Sequence, residues 1–269
     1  MDVFKRYLPN LGECWILVVA LLLGSIVTGL TLPAAPMSLT YAISMAFPMI
    51  YIIFLGRKQR CAAALNNPDF KHLGAFGAFA ISALAMLCLM VVSEPCTSFI
   101  PMPESIKALF EKVFYNTPLW DSVLSTCILA PLAEEFLCRG IMMRGMLSHG
   151  SPARAIIWSA VIFAVMHANP WQSIPALIFG LFFGWIYYRT GCLWLTIFLH
   201  CMNNSISTVM ARLLPDQEVD EGLMDIMGSN YWILFAVAMI MLAASIYFIY
   251  EKTVSSEVHS DSQREDLGQ

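Results

Sequence analysis

Apolar runs long enough to cross a lipid bilayer recur from one end of the chain to the other, and this limits the fold more than any other feature. Inside hydrocarbon every backbone N–H and C=O must be bonded internally, which leaves helices and closed barrels. A membrane strand needs only about ten residues, whereas a helix rising about 1.5 Å per residue needs about twenty. The runs have the helical length. The expected fold is therefore all-α, a polytopic membrane protein of about eight transmembrane helices around a buried polar pocket. Composition agrees, with 58% hydrophobic and 13% charged residues, roughly half the charged share of a soluble domain.

The spans are expected at about residues 14–32, 38–55, 72–92, 119–147, 154–168, 171–188, 192–213 and 231–250. The first exceeds the roughly 7–15 apolar residues of a cleaved signal peptide, which favours a retained helix. The fourth should outreach the hydrocarbon. Residues 103–114 place Ile106, Leu109, Phe110, Val113 and Phe114 on one face, the pattern of an amphipathic helix lying along the interface. Gly180 and Gly184 offer a close-packing helix face. Residues 1–250 read as a single membrane domain with its motif-bearing core at about 119–207. Residues 251–269 have the polar, Ser-rich composition of a disordered tail. Lys5, Arg6, Arg57, Lys58, Arg60, Lys71, Arg139, Arg144, Arg154, Arg189, Lys252 and Arg264 fall on or near one side, against Lys107, Lys112 and Arg212 on the other. The excess of basic residues places both termini in the cytoplasm of a membrane with short, bacterial-type loops.

Several classes drop out. No basic run exceeds the short 57–60 cluster, so no nucleic-acid partner is expected. The eight cysteines include no C-x-x-C pair, which signals neither a disulfide framework nor a thiolate zinc site. The acidic residues Asp216, Glu218, Asp220, Glu221 and Asp225 form a loop before the last span, and Glu94 and Glu104 read as solvated.

Within the fourth span stands Pro131-Leu-Ala-Glu-Glu-Phe-Leu-Cys-Arg-Gly140. An ionisable group at the bilayer centre costs about 2.5–3.5 kcal/mol, so three facing lipid would cost more than roughly 7 kcal/mol. Glu134, Glu135 and Arg139 must therefore face the protein interior. Glu135 and Arg139, four apart, share a helix face and can pair. Glu134 is rotated by about 100° and points elsewhere. His200 and Asn204 are likewise four apart, and His167 closes the fifth span. A carboxylate base, a histidine and a neutral amide donor can together activate water and hold an oxyanion. No G-x-S-x-G or H-E-x-x-H is present. Asn203 competes with Asn204, but only Asn204 shares the face of His200.

The three motifs, Glu134-Glu135-x-x-x-Arg139, Phe163-x-x-x-His167 and His200-x-x-x-Asn204, resemble the CPBP (CAAX protease and bacteriocin-processing) family of glutamic intramembrane proteases, similar to type II CAAX prenyl endopeptidases. The resemblance implies an intramembrane endopeptidase acting on a peptide or membrane-protein substrate. In it Glu134 and His167 would activate water, His200 and Asn204 would form the oxyanion site, and Glu135 and Arg139 would support them. It implies no metal or cofactor. A zinc ion on Glu134, His167 and His200 is the alternative, since one Glu with two His is a ligand set of catalytic zinc. The rival to catalysis is a bacteriocin-immunity or scaffold protein, or a carrier using the same polar pocket.

Overall fold

The computed structural model describes residues 2–56, 64–213 and 221–253. The basic cluster Arg57/Lys58/Arg60, the acidic residues Asp216, Glu218 and Asp220, and the tail beyond Thr253 lie outside the described residues. Within them the chain is helical, with no strand.

A short α1 (Asp2–Arg6) leads into α2 (Leu11–Thr31), whose start is fixed by a reciprocal cap. Asn10 Oδ1 accepts from the Glu13 N–H and the Glu13 carboxylate accepts from the Asn10 N–H. Helices α3 (Met37–Gly56) and α4 (Gly74–Ser93) follow. Short α5 (Pro95–Ser98) and α6 (Glu104–Glu111) cover one end of the bundle. Residues 119–149 form one continuous helix, α7, then come α8 (Pro152–Val165), α9 (Pro170–Thr190) and α10 (Leu193–Leu213). A short α11 (Leu223–Met227) precedes α12 (Tyr231–Lys252).

Helices occupy all eight expected stretches. By length and composition, four segments among the described residues suffice to cross a membrane: Leu11–Thr31, Met37–Leu55, Gly74–Ser98 and Leu223–Lys252. Their apolar residues stay on the outside of the bundle. Leu30, Ile50, Phe76, Ile233 and Ile240 are exposed, which suits a surface bathed in lipid. Helices α7, α9 and α10 form the middle and carry the polar residues. At 14 residues α8 is shorter than a bilayer-crossing helix. It packs against α9 where Gly180 leaves room, since a Cβ there would stand 3.0 Å from the Ala160 Cα.

Elements end where the sequence supplies the means. Ser151 caps α8 ahead of Pro152, and Asn169 caps α9 ahead of Pro170. Gly191 takes a left-handed conformation (φ 61°) and its N–H closes α9 on the Tyr187 carbonyl. Glu251 and Lys252, assigned to the tail by composition, are still helical, and Thr253 accepts from Arg189 Nε. The amphipathic segment is helical over Glu104–Glu111 and widens into π-type turns at Lys112–Asn116.

Inside α7 the turns are also widened at Val123–Leu129 and Phe136–Met143. The first precedes Pro131, which has no N–H to donate and whose ring crowds the preceding turn. Glu134 and Glu135 thus occupy the short α-helical segment Ala130–Glu135 between two widened stretches.

Candidate active site

The carboxylates of α7 are held differently, as their 100° separation requires. Glu135 is fully buried and its Oε1 accepts from Arg139 Nη1 at 2.8 Å, the i,i+4 pair expected from the spacing. Arg139 Nη2 donates to the Gly180 carbonyl at 2.9 Å, tying α7 to α9. The guanidinium lies over two rings, 4.8 Å from the Phe163 centroid and 5.5 Å from that of Phe183. A buried pair is sustained only when further contacts replace the lost water, and this one has a carbonyl, two aromatic faces and a histidine.

That histidine is His200 on α10. Its Nδ1 lies 3.1 Å from Glu135 Oε1. Because a carboxylate accepts, Nδ1 carries the proton, and Nε2 is left toward Glu134 Oε2 at 4.0 Å. That gap is too long for a direct hydrogen bond. Phe163 meets the imidazole edge-on and Phe183 stacks on it, so the ring cannot swing away.

Glu134 is only slightly exposed, and its Oε1 accepts from the Tyr41 hydroxyl of α3 at 3.0 Å. His167 lies in the turn just after α8, not within the helix as expected. Its Nδ1 is 2.8 Å from the Phe163 carbonyl. A carbonyl can only accept, so Nδ1 again donates and Nε2 holds the free lone pair of the neutral ring. Residues 166–169 hold this turn: Ala168 is left-handed (φ 57°), and Asn169 Nδ2 donates to the His167 carbonyl.

Asn204 and Asn203 form a linked pair. Asn203 Nδ2 donates to Asn204 Oδ1 at 3.0 Å, and Asn204 Nδ2 donates to the Thr126 carbonyl at 2.8 Å. One proton of the Asn204 amide is thus committed to α7, and the other is left for a ligand.

Tyr41, Glu134, His167, His200, Asn203 and Asn204 line a cavity of about 760 Å³, whereas Glu135 and Arg139 lie outside it. Met37 and Tyr41 contribute from α3, Glu94 from α4, Ser125, Thr126 and Glu134 from α7, and Trp171 and Gln172 from α9. Phe179, Phe183 and Met210 make much of the wall apolar. Among the described residues no cluster of three or more His, Cys, Asp or Glu side chains has an arrangement able to hold a metal ion. The arrangement supplies a carboxylate beside an open space, imidazole nitrogens with assigned protons and an amide N–H.

Sequence reasoning missed Tyr41, a hydroxyl inside an apolar span that nothing in its own helix marks out. It also took Glu94 as a solvated loop residue. Glu94 is half-buried, accepts from the Met224 N–H and lines the cavity. Asn203 was set aside on helical phase, yet it lines the cavity with Asn204.

Comparison with known proteins meets the resemblance carried by the three motifs. The family described as Type II CAAX prenyl endopeptidase Rce1-like matches residues 116–206. That stretch holds every site residue above except Met37, Tyr41, Glu94 and Met210. A protein of Bacillus subtilis (strain 168) named "Putative membrane peptidase YdiL" is 28% identical over 107 residues, covering 40% of this chain and 43% of that protein. The alignment thus spans less than half the length of this relative. No solved structure matches the chain.

Proposed function

We propose that this integral membrane protein is an endopeptidase that hydrolyses a peptide bond inside the cavity with a water activated by Glu134. The observation that carries the proposal is the connected chain Arg139–Glu135–His200, aimed at a second carboxylate that faces the cavity. A structural ion pair needs no such second carboxylate.

In this reading Glu134 accepts a proton from a water poised between its carboxylate and the scissile carbonyl. Tyr41 fixes one carboxylate oxygen so that the other meets the water. The oxygen attacks the carbonyl carbon and the carbonyl π electrons move onto its oxygen. Asn204 Nδ2–H and a protonated His200 Nε2 supply donors for that oxyanion. Such donors are worth about 10²–10³ in rate each because they are in place before charge develops. The tetrahedral intermediate collapses as the C–N bond breaks, and the proton held by Glu134 passes to the leaving amine. His167, with its Nε2 lone pair, shares the water's proton in the first step. Glu135 and Arg139 hold the His200 ring in one orientation, with Nδ1–H on Glu135 and Nε2 turned toward the oxyanion. The scheme uses no metal, and a zinc ion on Glu134, His167 and His200 is its alternative.

The test is Glu134→Gln in detergent-purified full-length protein, with quenched fluorescent peptides as probes. Glutamine keeps the shape and can still accept from Tyr41, so the expected result is a folded protein with cleavage lost. Cleavage that persists in the Gln variant overturns the assignment. A cellular phenotype that survives it would transfer the protein to the immunity or scaffold class.

A further inference from the structure

The cavity reaches the surface at one end of the bundle, and the charges at the two ends tell which side of the membrane that is. Its lining stops at Glu134 on α7, at Tyr41 on α3 and at His200 on α10. Beyond those residues the bundle is filled. Leu137, Ile141, Met142 and Met143 are fully buried, and Leu65, Tyr187 and Leu193 pack with them in one core. In the other direction the lining runs to Glu94 at the end of α4, to Ala211 near the end of α10 and to Glu221. Among the described residues the path to Glu134 is therefore one-sided.

The sealed end and the open end differ in charge. At the sealed end stand Lys5, Arg6, Lys71, Arg144, Arg154, Arg189 and Lys252. Their grouping is direct: Arg144 donates to the carbonyls of Lys5 and Tyr7, and Arg189 to the Thr253 carbonyl. At the open end the basic residues are Lys107, Lys112 and Arg212. Arg212 Nη2 donates to the Thr117 carbonyl, which fixes its place there. Among the described residues no Lys or Arg lines the cavity, whereas Glu94 and Glu221 do. Segments flanking membrane helices keep their Lys and Arg on the cytoplasmic side.

We infer that the cavity opens to the non-cytoplasmic face, so that its substrate is a peptide presented from outside the cell or from the outer leaflet. The inference rests on the peptidase reading for the word substrate, but not for the sidedness. Depth sets the form of that substrate. His200 lies eleven positions before Ala211, about 16 Å along the helix axis at 1.5 Å per residue. An extended chain advances at most about 3.3–3.6 Å per residue, so about five residues must thread inward before the scissile bond. A chain end or an unfolded segment can do this.

The experiment uses the full chain in right-side-out and inverted membrane vesicles. Cys96 is exposed and sits in α5 at the open end. With Cys61 replaced by Ser, a membrane-impermeant maleimide should label right-side-out vesicles, Cys96→Ser should abolish that label, and intact inverted vesicles should stay unlabelled. Labelling of Cys96 only in inverted vesicles overturns the sidedness whatever the enzyme does. In parallel, an impermeant quenched peptide should be cleaved by right-side-out vesicles in a Glu134-dependent manner, and by inverted vesicles only after detergent is added. Cleavage by intact inverted vesicles also overturns it. Absence of cleavage even in detergent counts against the peptidase reading alone, and the label still decides which face is open.

Discussion

Replacing Arg139 with Met removes a buried cation and leaves Glu135 behind. Arg139 and Glu135 are both fully buried, and the guanidinium makes two hydrogen bonds, to Glu135 Oε1 at 2.8 Å and to the Gly180 carbonyl at 2.9 Å. Breaking a buried pair by deleting one partner costs about 3–5 kcal/mol, because the other charge stays uncompensated. A buried carbonyl deprived of its donor adds about 1–3 kcal/mol. The two terms share some of the same relaxation, so about 5 kcal/mol is the working figure. At about 2–4 °C per kcal/mol for a chain of this size, melting should fall by about 10–20 °C. The double variant Arg139→Met/Glu135→Leu removes both charges and should recover most of that loss. It should nevertheless remain inactive, since His200 Nδ1 loses the acceptor that orients the ring. The assay is tryptophan fluorescence of detergent-solubilised protein at one fixed scan rate, with peptide cleavage measured beside it. A single variant that melts within about 3 °C of the parent would refute the reasoning, as would a double variant no more stable than the single.

Tyr41→Phe deletes the hydroxyl that donates to Glu134. A hydrogen bond to a charged group is worth about 1.5–3 kcal/mol, so kcat should drop about 10–100-fold with KM little changed; an unchanged kcat removes Tyr41 from the site. Asn204→Ala should lower kcat on the order of 10²-fold as an oxyanion donor is lost, and Asn203→Ala should do less, which a side-by-side kinetic comparison checks. Gly180→Val places its Cβ against the Ala160 backbone, and overpacking of about 1–3 kcal/mol should appear as a lower melting temperature with α8 and α9 forced apart. Gly29, with nothing near its Cβ position, is the control that should tolerate the same change.

Much of this site could be read along the chain because helical spacing is local. Glu135 with Arg139, and His200 with Asn204, each lie four apart, and the cost of burying charge required them to face inward. What failed to show was contributed across helices. Tyr41 reaches Glu134 from another helix, 93 positions away in sequence. Glu94 lines the cavity because the chain around Met224 folds back onto it. Asn203 lay off the predicted face, yet it lies along the wall of the cavity with Asn204. The fifth stretch, expected at about 154–168, is a helix of only 14 residues that ends at Val165 and is pressed against α9.

By itself the sequence determined the helical class, the inward-facing charges and the three motifs, because hydropathy, helical period and the cost of burying charge act on residues close together along the chain. Only the tertiary structure decided which carboxylate pairs and which faces open space, which imidazole nitrogens carry protons, and at which end the cavity opens. Those properties depend on distances between helices far apart in sequence, and side-chain packing sets such distances where local periodicity carries no information.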